Sequence, residues 1–538
     1  MNPRSLSLHG AFEPAGGRTR WERISCEGVR TARGGGRKWL EVDPAALTLL
    51  SREAFARLAH FLRPAFLKSI AAILGDAGAS DNDRFVAHAI LRNAAIAAEG
   101  VLPLCQDTGT ALILGAKGAG VRTDGRDEEA LSRGVAEAYT GRALRASQMA
   151  PLTLFDEVNT GDNLPAQIDL AAGPGDDYRF LFMAKGGGSS NKTALFQETK
   201  ELLDEARLTA FLREKVRALG VAACPPYRIA VVVGGTSPEL CLKAVKLASA
   251  GALDGLPPRG NRRGDPFRDR GWERRVLDLA RETGLGAQFG GKHLAHEVRF
   301  IRLPRHAGSC PVGIGVSCNA DRHLRGRITA GGLFLEALER NPARYLKRGL
   351  PERGPAKVDL CASMDAIRRS LSAQSVGALL SLSGPLVVAR DIAHARLRRR
   401  LAETGDLPDY LKRHPVYYAG PARTPEGHVT GSFGPTTARR MDSYLAEFMK
   451  AGASLVTLAK GDRTPAATEA CRAHGGFYLG TLGGAGALIA KECVTRSEVI
   501  DFADLGMEAV RRIEVRDLPA FLVIDARGRN LYDANGRS

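Results

Sequence analysis

The sequence predicts a two-domain α/β protein, with a larger N-terminal α/β unit and a smaller C-terminal one. Three observations carry this. Apolar runs ending in glycine alternate with helical stretches, the pattern of strand–turn–helix units. A polar stretch with Pro and Gly, NPARYLKRGLPERGPAKVDL, interrupts that pattern near residue 350. The chain has 538 residues, enough for about two to four domains of ordinary size. The expected division is an N-terminal extension at 1–44, a first domain at 45–345, a linker at 346–380 and a second domain at 381–538.

The elements follow in order. Residues 1–44 are Arg- and Gly-rich without a clear amphipathic period and read as a loose extension. From Asp43, ALTLLSREAFARLAHFLRPAFLKSIAAIL carries apolar residues at three- and four-residue spacing, as a helix does. Ser51 followed by Glu53 is the expected opening, and Pro64 breaks or restarts the helix. A second helix is expected from Ser80, with Ser80 and Asp81 at its cap. ALILGAKG, AQIDLAAG, YRFLFMAKGGG and RIAVVVGG read as strands, the last followed by the helix PELCLKAVKLA. In the second unit, LSGPLVVARD, HPVYYAGPA, SLVTLAKGD, FYLGTLGGAGALIA and AFLVIDARG read as short strands alternating with helices.

Composition excludes some function classes. No run of about 18 apolar residues exists, so no membrane-spanning helix is expected. The nine cysteines are odd in number and show no compact disulfide pattern, which points to a reducing, cytoplasmic compartment. A net charge of +17 allows a nucleic-acid partner. The basic residues are dispersed, however, and no nucleic-acid-binding motif accompanies them, so no nucleic acid is expected. GGGSSNKT resembles a phosphate-binding loop but has Asn191 where the second glycine belongs, and GTLGGAGAL misses the dinucleotide spacing.

Cys105 in LPLCQDTGT, Cys224 in AACPPY and Cys318 in GVSCNADRH each sit in a turn-like segment. Their spacing is not that of a zinc finger, and any one of them alone reads as a small buried hydrophobe. LPLCQDTGTA, FMAKGGGSSNKT, ACPPYRIAVVVGGTSPE, LPRHAGSCPVGIGVSCNADR, VVARDIAH and PVYYAGPARTPEGHVTGSFGPTTARRMDSY together resemble class I fumarate hydratase of the single-chain type, in order from about residue 45 to the C-terminus.

The resemblance implies an N-terminal cluster-binding domain and a C-terminal swivelling-type domain. It implies a 4Fe–4S cluster on Cys105, Cys224 and Cys318; Cys310, close to Cys318 in the sequence, reads as structural. Three ligands leave one iron open, a position that can act as a Lewis acid. Two substrate carboxylates call for forked cations. The resemblance places Arg145, Arg390, Arg440 and Lys460 there, with Gln106, the Gly188 N–H and His306 as further partners, and Arg440 rather than Arg439 as the clamp. It implies Asp107 and Thr436 as the proton-transfer pair, although Thr436 also reads as a helix N-cap. A homodimer is implied too. Tartrate or methylfumarate (mesaconate) hydration on the same fold stands as an alternative. A non-enzymatic iron- or oxygen-sensing or nucleic-acid-binding protein is the alternative of a different class.

Overall fold

The run YRIAVVVGG builds the strand Tyr227–Gly235, every residue of which is buried. A strand covered on both faces reads as a continuous apolar run rather than an alternation. In the computed structural model, which describes residues 19–34, 36–346 and 354–534, this strand is the middle of a five-stranded sheet. It pairs in parallel with Ala295–Arg305 and antiparallel with Cys310–Ser317. Helix Pro238–Ser249 follows, capped by the Ser237 hydroxyl, which accepts from the Leu240 N–H. This helix packs Cys241, Ala244 and Val245 between the five-stranded sheet and a second, six-stranded one. The second sheet contains Thr110–Gly118, Gln167–Gly173 and Tyr178–Lys185, the strands expected from the glycine-bounded runs.

The C-terminal half is built on a seven-stranded sheet that closes on itself. Leu379–Val388 pairs with Val416–Tyr417 on one side and with Val510–Ile524 on the other. Val456–Ala459 and Phe477–Thr481 complete the ring. Closure leaves few strand edges unpaired.

Local expectations hold where the side chains act locally. The first helix stops at His60 and a new one, Pro64–Leu74, restarts with Pro64 in its first turn. Ser80 caps helix Asp81–Ala97 in a reciprocal box with Asp83. The first helix differs from expectation: Pro44–His60 begins after Asp43, and Ser51 is buried in its middle. Pro44, preset for the first helical turn, outweighs Ser51 as a start signal.

Two boundaries also differ. Residues 19–42 are not a loose extension. Trp21–Ser25 adds an edge strand to the six-stranded sheet by pairing with Gly332–Glu336, and Val29–Gly34 pairs with Arg37–Val42. The Arg327 guanidinium lies 4.4 Å over the Trp21 ring. Part of the expected linker at 346–380 belongs to the second unit: Ala356–Asp359 pairs in parallel with Leu379–Val388, and Met364–Ser372 is a helix. Both pieces are stabilised by distant partners, which composition does not reveal. Residues 1–18 of the extension and 347–353 of the linker lie outside the described residues.

Asp83 is a buried tie between helix and loop. Its carboxylate accepts from the N–H groups of Ala287 at 2.7 Å, Lys292 at 3.0 Å and Ser80 at 3.3 Å. Asp83→Ala strands these donors away from water and is expected to cost about 2–4 kcal/mol, read as a lower unfolding midpoint in denaturant.

Candidate active site

Three turns bring the expected cysteines together. Cys105 follows the first helical layer, where the Leu104 N–H donates to Ala59 O. Cys224 precedes the central strand and holds a positive φ of 62°, a strained conformation for a residue with a side chain. Cys318 ends the strand Cys310–Ser317, antiparallel to the one that Cys224 precedes, so both lie at the same end of that sheet. The Asn319 N–H donates to Cys224 O at 3.0 Å and ties their turns. Cys105 and Cys224 are buried, and Cys318 is partly exposed.

The C-terminal half closes the fourth side. A side-chain carbon on Gly483 would meet the Cys224 sulfur at 2.4 Å, and one on Gly486 would meet the Cys105 Cα at 3.1 Å. Residues 483–486 therefore lie against the cysteine turns at backbone contact distance. Gln288 fixes them: its Oε1 accepts from the Gly483 N–H at 2.8 Å and its Nε2 donates to Gly483 O. Asn319 and Asn93 donate to Gly483 O and Gly484 O. The strand expected over FYLGTLGGAGALIA stops at Thr481, and the glycines after it form this contact, which neither a strand pattern nor a dinucleotide spacing reveals.

The polar groups converge on the same place. Lys460 donates to the Cys224 sulfur at 3.0 Å. Gln106 is buried and its amide donates to Pro435 O, beside Thr436. Lys460 and Thr436 share a backbone bond at 3.0 Å. Asp107 accepts from the Gly187 N–H at 2.8 Å, and Gly188, the next residue, packs against Ala223 next to Cys224. Arg440 donates to the Thr436 hydroxyl and, at 2.7 Å, to Asp391. Arg439 turns away to Asp462. Thr436 is not an N-cap, because the short helix Ala438–Met441 starts from Thr437.

The charges are unbalanced. Burial raises the Asp107 carboxyl, but Arg322, Arg145, the Gly187 amide and Lys460 outweigh it and hold the group below its usual value. It is ionised at neutral pH. Burial pushes the Cys105 thiol up to about 12 and raises the Cys224 thiol as well. Burial and the nearby Arg145 pull Arg390 down to about 10, opposed by Glu508. Arg390 is 3% exposed, and its Nε and that of Arg145 have no acceptor among the described residues. Arg390 also contacts Glu508 at 3.4 Å and Met507 O, so it is one nitrogen on each side chain, not the whole group, that is left for an anion. Arg322, four residues after Cys318, donates to Asp107 O at 2.7 Å. It was missed in the sequence, although it stands in the same motif.

His306 is the exception. It lies in an exposed turn after Ala295–Arg305. Strand registry places that turn beside Gly235, at the opposite end of the sheet from Cys224 and Cys318. Seven steps of extended chain from Cys310 to Ser317 span about 23 Å. Within one chain, His306 is therefore not part of the cluster of side chains just described.

Among the described residues, no three His, Cys, Asp or Glu side chains close around a single ion. The donors are three thiols on separate turns, in electrostatic contact with one another and with Lys460 and Arg322. This set fits an iron–sulfur cluster, which is held by thiolates, rather than one tetrahedral ion. Lys460 and Arg322 offset the negative charge such a group brings.

Residues 48–327 match the family model for fumarate hydratase, and residues 332–535 match that for the fumarase C-terminus. Fumarate hydratase 2 of Leishmania major is 53% identical over 501 residues, covering 92% of this chain and 88% of its own. The aerobic class I fumarate hydratase of Escherichia coli is 52% identical over 517 residues, 96% of this chain and 94% of its own. The anaerobic class I enzyme of the same organism is 51% identical over 535 residues, 99% and 98% of the two chains.

Close packing makes the glycine contact testable. Gly483→Ala forces a methyl against the Cys224 sulfur, an overpacking cost of about 1–3 kcal/mol, and is expected to lower cluster retention by about ten-fold or more. Iron and sulfide content after anaerobic reconstitution reads this. Gly141→Ala, which meets open space, should leave the content unchanged.

Proposed function

The chain belongs to the class I fumarate hydratase family, and from that premise we propose that it hydrates fumarate to (S)-malate at the seam where the cysteine turns meet the C-terminal half. The observation that carries this is that half-buried Arg145 and buried Arg390, the latter already 3.4 Å from Glu508, each keep a side-chain nitrogen without an acceptor beside three converging cysteine turns. A small dicarboxylate supplies the missing anions.

In this reading Cys105, Cys224 and Cys318 hold a 4Fe–4S cluster, with Lys460 set on the Cys224 sulfur. The cluster, when bound, supplies a Lewis acid through its one iron without a cysteine ligand. Everything else falls to the chain. Arg145 and Arg390 bind carboxylate oxygens, and Arg440, anchored by Asp391, reaches the same cleft. Gln106 and the Gly188 N–H donate to further oxygens of the substrate. Asp107, ionised and steadied by Arg322 and the Gly187 amide, accepts a proton from the attacking water. The water oxygen bonds to one alkene carbon. The Thr436 hydroxyl, with the Arg440 guanidinium on its oxygen, gives its proton to the neighbouring carbon. The cation lowers the cost of the alkoxide that this leaves. A proton passing from Asp107 to Thr436 restores both groups, and malate formation reverses along the same path.

A swivelling-type closure of the C-terminal domain over the cleft, and a homodimer, complete the proposal. The dimer accounts for His306. One chain holds this side chain about 23 Å of strand away from Cys318, so it reaches a substrate only in the partner's cleft. Its mounting supports such a use. Arg305 Nη1 donates to the carbonyls of His306, Ala307 and Ser309, which fixes the turn while the ring stays exposed.

Two experiments test this reading. Asp107→Asn keeps the shape but removes the base, and kcat should fall by at least about 100-fold while the cluster's visible absorbance persists. Loss of the absorbance with the activity would instead assign Asp107 to cluster assembly. In the second, His306→Asn and Asp107→Asn chains are unfolded together, refolded and reconstituted. Random pairing gives each mixed dimer one intact site, so activity should return to about one quarter of wild type. No recovery above the parents would remove His306 from the partner's site.

A further inference from the structure

The segment between Arg145 and Asn163 leaves the body of the domain as a hairpin. Met149–Pro151 and Glu157–Asn159 form a two-stranded sheet of their own. A hairpin this short is not stable by itself in water and needs a surface to pack on. Its tip carries large apolar side chains in solvent: Leu152 is 67% exposed, Leu154 87% and Phe155 89%. Met149 and Val158 are also exposed. Such clustering marks an interaction site, unlike single apolar residues scattered on a surface. The same tip holds Asp156 and Glu157, so an acidic, apolar arm projects from a chain whose net charge is +17.

A matching surface exists on this chain. The loop at 257–268 runs beside the His306 turn, with Gly264 approaching Pro304. It exposes Arg259, Arg262 and Arg263, of which Arg263 is paired with Asp265 of the same loop at 3.4 Å, leaving Arg259 and Arg262 as the cations that face a partner. Phe267, half-buried on a short strand paired with Ala295–Arg305, adds apolar surface. The roots of the arm lie at the substrate cleft: the Ser147 N–H donates to Asn163 Oδ1, and Asn159 Nδ2 donates to Ala146 O, one residue from Arg145.

We propose that the hairpin at 149–159 is a docking arm for a second copy of this chain, and that its seat is the basic corner formed by the 257–268 loop and the His306 turn. The inference rests on the homodimer described above and names the surfaces that build it. The contact is isologous, so each copy gives one arm and one seat, and two equivalent contacts form about the twofold axis. Seating the partner's corner on the arm brings the partner's His306 turn towards the Arg145 side of the cleft. Charge complementarity selects the corner and sets the register, and the apolar tip supplies the affinity.

The test uses the full chain, with sedimentation measured over a range of concentrations. Leu154→Ser with Phe155→Ser removes the apolar tip from positions open to solvent, where folding is not at stake. The dimer dissociation constant should rise by at least about 100-fold. Asp156→Arg with Glu157→Arg should also weaken the dimer, and adding Arg259→Glu with Arg262→Glu should restore most of the loss. A dissociation constant unchanged by the apolar substitutions, or no rescue by the charge exchange, overturns the proposal. Mixed-chain recovery of activity alongside an unchanged dissociation constant would overturn the docking arm alone and leave the partner histidine standing. A wild-type chain that sediments as a monomer at all concentrations overturns both.

Discussion

The contact on which the rest depends is the packing of residues 483–486 against the three cysteine turns. Two glycines without side chains let the C-terminal backbone come to the Cys224 sulfur and the Cys105 backbone. Gln288, Asn319 and Asn93 of the N-terminal half take up the polar groups of this segment. The cysteines all come from one half, but the space around them is finished by the other. Gln106, bonded to Pro435 O, and Lys460, on Cys224, cross the same seam. The closed C-terminal sheet is the frame that delivers these pieces, since Lys460 and the glycine segment follow adjacent, paired strands.

Electrostatics explains why such a seam is reactive. Buried charges are costly unless they are paired. Here Lys460 and Arg322 face thiols and Asp107, whereas Arg145 and Arg390 keep nitrogens without acceptors. Burial opposes the charge of Lys460, but the neighbouring Cys224 and Cys105 sulfurs and Asp107 hold it above the ordinary lysine value, so the cation is retained. A cluster and a dicarboxylate each bring the negative charge that one part of this set lacks. Glu508 sits at the edge of the arrangement, 3.4 Å from Arg390. Asp391 holds Arg440 beside Thr436.

Much of this was legible in the sequence. Continuous apolar runs gave the central strands, because burial on both faces leaves its mark in composition. Ser80 and Pro64 marked helix starts through local bonds and ring geometry. Cys105, Cys224, Asp107, Thr436 and Arg440 stood in motifs and meet in the structure. What was not legible depends on partners far along the chain. The strand Trp21–Ser25 is held by a strand about 300 residues on, and Ala356–Asp359 by pairing across an apparent linker. The glycines of 483–486 gain meaning only from what lies against them. His306 shows the opposite failure: a motif places a residue near a site by resemblance, whereas strand register shows which end of the sheet it occupies.

On the proposed mechanism, Cys105, Cys224 and Cys318 hold a cluster at this seam whose remaining iron meets the substrate. Mössbauer spectroscopy of the anaerobically reconstituted, iron-57-enriched protein tests it most directly, with and without malate. One iron of the cluster should give a distinct signal that shifts on malate addition, while the others stay unchanged. Irons that are all equivalent and indifferent to malate, or the absence of a cluster, would rule out a substrate-binding iron at these cysteines.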